Sequence, residues 1–80
     1  MPHTSGSELA SELDTELGNV IRARRKALGI TQAELADLSG ISVRTIVEIE
    51  SGGNSISLKR LLPVLATLGL RLSIAVARNG

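Results

Sequence analysis

Residues 30–52 read ITQAELADLSGISVRTIVEIESG. Thr31 stands before Gln32, Ala33 and Glu34 in the spacing of a capping box. In that motif the hydroxyl accepts the Glu34 N–H and the carboxylate reaches back to the Thr31 N–H. A short helix follows to about Ser39, with Leu35, Ala36 and Leu38 on its apolar side. Gly40 breaks that helix and tolerates the positive φ that a tight turn demands. Ser42 is a good N-cap for a second short helix over about residues 43–51, with Ile46 and Ile49 inward. Two helices that cross this closely need a small residue at the crossing, and Ala36 supplies it. Ala36, Gly40, Ile46 and Ile49 therefore stand at the offsets such a helix pair demands.

Upstream, Leu9, Leu13, Leu17, Val20, Ile21 and Leu28 recur at helical spacing. Gly18 interrupts the stripe and costs roughly 1 kcal/mol relative to Ala. The pattern predicts a firm helix over about 15–27, with 7–14 only marginally helical and residues 1–6 a flexible tail. Gly29 ends the helix. Downstream, Ser51–Ser55 is a stop. Ser57 caps a fourth helix to about Leu68, with Leu61, Leu62, Leu65 and Leu68 inward and Pro63 inside it. After Gly69 the period changes. Leu70, Leu72, Ile74 and Val76 alternate with Arg71, Ser73, Ala75 and Ala77, as in a half-buried β-strand. A lone strand cannot satisfy its own backbone, so a second copy of itself is the expected partner. Three regions result: an acidic extension (1–14), a helical domain (15–69), and a dimerisation strand with its tail (70–80). The fold class is mainly α, with four to five helices and a C-terminal strand pairing across a dimer.

The chain has 80 residues, no Cys and no aromatic residue. One domain with a Leu, Ile, Val and Ala core is expected, with oligomerisation as its extra source of stability. Modules that stack bases on aromatic rings are excluded. His3 is the only His, so neither a metal site, a catalytic triad nor a cofactor is expected, and the chain does not read as an enzyme. No apolar run approaches the roughly 20 residues of a membrane span, and the start lacks the features of a signal peptide. A cytoplasmic protein without membrane contact is the expectation. The net charge of +1 conceals an asymmetry, −4 over residues 1–17 and +5 over 18–80. The basic part suits a phosphate-binding surface.

The run from Ile30 to Gly52 resembles the helix-turn-helix domain of the Xre/lambda-repressor-like family, and the resemblance extends over about 17–69. With LGLRLSIAVA at residues 68–77, the pattern is most similar to antitoxins of the HipB type. The resemblance implies a homodimeric repressor that binds a palindromic double-stranded DNA operator and autoregulates its promoter. It also implies a HipA-like kinase toxin as partner. It makes Arg25 and Glu50 a buried structural ion pair and gives Gln32 a phosphate contact.

In such a domain the helix from Ser42 lies in the major groove with its N-terminal residues at base edges. Ser42, Val43, Arg44, Val47 and Glu48 are the candidate base readers. Arg44 can bind guanine O6 and N7 bidentately, and Val43 can meet a thymine methyl. Thr31, Gln32, Asn54, Ser55 and Arg22 are the candidate phosphate contacts. Arg24 and Lys26 extend a basic run on the first helix, and Lys59 and Arg60 open the fourth. Leu70, Leu72, Ile74 and Val76 are the dimerisation residues. The alternatives are a stand-alone Xre-type regulator and a protein-interaction adaptor built on the same helices.

Overall fold

The computed structural model describes residues 6–53 and 56–76. Four helices follow in order: α1 (Gly6–Ala27), α2 (Gln32–Ser39), α3 (Val43–Glu50) and α4 (Leu58–Thr67). α1 starts well ahead of the expected residue 15. Glu8 lies in its first turn, and Arg24, Arg25 and Lys26 in its last, each with the sign that the helix dipole favours at that end. Gly18 does not divide it. That glycine is buried where α1 crosses the end of α3. A Cβ there would collide with the Ile49 carbonyl oxygen and stand 3.0 Å from that of Glu50. Gly18 is therefore the small residue that lets α1 approach the end of α3, and the propensity it forgoes is offset by that approach.

The capping box forms as expected. Thr31 Oγ1 accepts from Glu34 N, and Glu34 Oε1 accepts from Thr31 N, both at 3.0 Å. Gly40 takes φ 70°, and its N–H together with that of Ile41 closes the last turn of α2 on Asp37 and Ala36. Ser42 Oγ accepts from Thr45 N at 3.1 Å and starts α3. Ser57 occupies the N-cap of α4 without a side-chain hydrogen bond, and Pro63 lies inside that helix.

Ile21, Leu35, Ala36, Ile46, Ile49, Leu61, Val64, Leu65 and Leu68 form one buried core. Two inward expectations are corrected. Leu38 and Leu62 are exposed, because the buried face of α2 runs through Leu35, Ala36 and Ser39 and that of α4 through Leu61, Val64, Leu65 and Leu68. The spacing of the α4 set leaves Leu62 about 100° round the helix from Leu61. Ser39 is satisfied in the core by a bond from its Oγ to Thr67 Oγ1 at 3.2 Å, and Thr67 in turn donates to the Pro63 carbonyl at 2.8 Å. Residues 70–76 form no strand within the single chain. The early tail (1–5), Asn54, Ser55 and Ala77–Gly80 lie outside the described residues.

Candidate nucleic-acid interface

α3 has one buried face and one open face. Ile46, Ile49 and Glu50 point inward. Val43 and Val47 are exposed, as are Ser42 and Arg44. The Arg44 side chain is 88% exposed and lies 3.4 Å from the Glu48 carboxylate one turn on. The structure thus brings the candidate base readers, Ser42, Val43, Arg44, Val47 and Glu48, to the outer side of α3 and its N-cap. Its apolar groups suit a methyl-bearing base edge and its guanidinium an acceptor pair.

Arg60, from the first turn of α4, donates from Nη2 to Thr45 Oγ1 at 3.0 Å, and Thr45 Oγ1 lies 2.9 Å from Ser42 Oγ. These contacts fix the start of α3 to α4. The far end of α3 is fixed by charge. Arg25 donates from Nε to Glu50 Oε2 at 2.6 Å, from Nη2 to Glu50 Oε1 at 3.0 Å and from Nη1 to the Ile30 carbonyl at 2.9 Å. Only 11% of the Arg25 side chain and 3% of the Glu50 side chain are exposed. The hydrogen bond to Glu50, against the opposing effect of burial, raises the Arg25 pKa above its already high ordinary value. The pair has the bidentate geometry that suits a buried guanidinium and carboxylate.

The candidate phosphate residues divide. Gln32 is half-buried, and its Nε2 donates to Glu50 Oε1 at 3.2 Å. It therefore completes the Arg25–Glu50 network, leaving one amide hydrogen for another acceptor. Thr31 Oγ1 is engaged as an acceptor in the capping box. Arg22 and Lys26 flank an open groove of about 410 Å³ with Gln32, Val47 and Ser51. Asn54 and Ser55 fall outside the described residues. Arg24 faces elsewhere, donating from Nε to the Leu68 carbonyl at 2.9 Å, where it caps α4. The roles of Arg24, Arg60 and Gln32 carry no local signal in the sequence, because each depends on a partner 15 to 44 positions away. Among the described residues no His, Cys, Asp or Glu group could hold a metal ion, and no helix is long and apolar enough to cross a membrane.

A capped helix, a left-handed glycine turn and a second capped helix with an open basic-apolar face define a helix-turn-helix module. The family profile described as Helix-turn-helix matches residues 21–74. The chain belongs to this family. It is 36% identical over 59 residues, 74% of this chain and 78% of the relative, to an uncharacterised HTH-type transcriptional regulator of Sinorhizobium fredii. A second such regulator, from Haemophilus influenzae, is 40% identical over 68 residues, 85% of this chain and 69% of the relative. Among solved structures, a chain of a HipA-HipB-O2-O3 complex matches with TM-score 0.72 and 26% identity, covering 98% of this chain and 99% of that one. The restriction-modification controller protein C.AhdI of Aeromonas hydrophila matches with TM-score 0.68 and 29% identity, over 72% of this chain and 88% of that one.

Proposed function

We propose that this chain is a sequence-specific transcriptional repressor that binds a palindromic DNA operator as a homodimer. The carrying observation is the open face of α3, with Val43, Arg44 and Val47 outward and both helix ends fastened, by Arg60 at the start and by Arg25–Glu50 at the finish. A rigid helix presented in this way reads base edges. Arg22 and Lys26, beside Gln32, supply phosphate contacts that set its register. Thr31, Asn54 and Ser55 add to that set in the same reading.

One domain makes few contacts, so two copies would address half-sites about 34–36 Å apart. Pairing of Leu70, Leu72, Ile74 and Val76 across the two-fold axis would set that distance. We further propose that the chain is the antitoxin of a HipBA-like operon with a HipA-like kinase as its partner, acting in the cytoplasm. The near-complete overlap with a chain of the HipA-HipB-O2-O3 complex supports this reading. The likeness to C.AhdI favours a second reading, a regulator without a toxin. Co-expression with the kinase encoded beside it, if one is present, separates the two. Growth rescue and a stable co-purifying complex support the antitoxin. A chain that binds its operator but neither binds nor neutralises a kinase is a stand-alone regulator.

A further inference from the structure

An apolar groove of about 210 Å³ lies between α1 and the C-terminal segment. Leu13, Leu17 and Val20 line one side and Leu65, Leu70 and Leu72 the other, with one charged side chain on each, Glu16 and Arg71. The α1 side lies ahead of residues 21–74, which the family profile covers. Beyond the groove, Ile74 is 96% and Val76 94% exposed. They share the strand face of Leu70 and Leu72 by alternation. An exposed apolar face of this kind marks an interaction surface.

We propose that Ile74 and Val76 of a second copy fill this groove, seated by an antiparallel ribbon of residues 70–76 with its two-fold axis at Ser73. The proposal rests on the homodimer reading above and adds the register and the α1 contact. Residues opposite one another in an antiparallel pair project to the same face. The apolar positions must therefore oppose one another, which places the axis on a residue rather than between two. An axis at Leu72 would set Val76 opposite Leu68, the C-cap of α4, where the helix blocks a ladder. An axis at Ile74 would set Arg78 opposite Leu70, leaving only three of the four apolar positions paired with one another. An axis at Ser73 pairs Leu70 with Val76 and Leu72 with Ile74.

The hydrogen bonding agrees. The Leu70 N–H already donates to the Leu65 carbonyl at 2.8 Å, so Leu70 belongs to a pair that exchanges no ladder bonds. The ladder bonds then fall to residues 71, 73 and 75. The apolar residues occupy the closer, non-hydrogen-bonded pairs, with Cα atoms about 4.5 Å apart.

The absence of cysteine makes the test direct. Single variants Arg71→Cys, Ser73→Cys and Ala75→Cys are oxidised at concentrations where sedimentation shows dimer. In the proposed register the two copies of residue 73 face each other at about 5.5 Å between Cα atoms, within disulfide reach. The two copies of residue 71, and of residue 75, are about 14 Å apart along the ribbon, which is out of reach. Cross-linking at 73 alone is expected. A dimer that cross-links at 71 or 75, or at none of the three, overturns this register while leaving the homodimer standing. A monomer at all concentrations overturns both. Leu13 is exposed in the single chain, so Leu13→Lys in the Ser73→Cys background should keep its helical signal and lose most of the cross-linked dimer. Undiminished cross-linking would overturn the α1 contact.

Discussion

Gly18 and Gly40 are glycines for different reasons, and single substitutions separate them. Ala is the better helix former by about 1 kcal/mol, yet Gly18→Ala must push α1 off the end of α3. We expect net destabilisation of about 1–3 kcal/mol, the usual cost of overpacking, measured by urea unfolding. Gly40→Ala meets no neighbour within 4 Å and suffers only the left-handed backbone, about 1–2 kcal/mol. The Arg25–Glu50 pair gives the largest expected loss. Glu50→Ala strands a buried guanidinium and should cost about 3–5 kcal/mol in the same assay. Because the hydrogen bond to Glu50 raises the Arg25 pKa above its already high ordinary value, its contribution is complete below that ordinary value and is lost only as pH rises through the still higher folded value. Stability should therefore show no step from Arg25 across the neutral range. On DNA, Arg44→Ala should relax the preference at one base pair by about 1–3 kcal/mol. Arg22→Ala should instead weaken all sequences alike and reduce the salt slope by about one. Binding titrations on matched and mismatched duplexes at several salt concentrations distinguish the two effects.

At the scale of elements, local chemistry was legible and long-range placement was not. The capping box at Thr31, the turn at Gly40 and the Ser42 cap are contained within a few consecutive residues, and all three form. Helix propensity alone counts Gly18 as a weak point and leaves residues 7–14 marginal, whereas the value of this glycine lies in its contact with α3. Apolar character without helical phase points Leu38 and Leu62 inward, and both are exposed. Of the interface, the outward set on α3 follows from periodicity. The turn of Gln32 toward Glu50 and the tether of Arg60 to Thr45 require the tertiary fold. The caps lead to a further expectation: Ser42→Ala should cost about 1 kcal/mol and also weaken operator binding, since Ser42 and Thr45 share the hydroxyl pair that Arg60 holds. Calorimetry and a DNA titration on the same variant check both effects.

For the whole molecule, the charge division and the open C-terminal segment bear on one function. In the proposed repressor the basic part of the chain would draw in DNA, and the apolar ends of two copies would set the distance between their α3 helices. Deleting residues 70–80 should leave the helical signal intact and severely weaken binding to a two-half-site operator. Unchanged affinity would detach the dimer from recognition. Operator recognition is tested by binding of the purified protein to the DNA upstream of its own gene, titrated against salt. A dimeric repressor should bind an inverted repeat there far more tightly than random duplex, with affinity falling steeply as salt rises. Binding no tighter than to random duplex at any salt concentration would rule out a sequence-specific repressor.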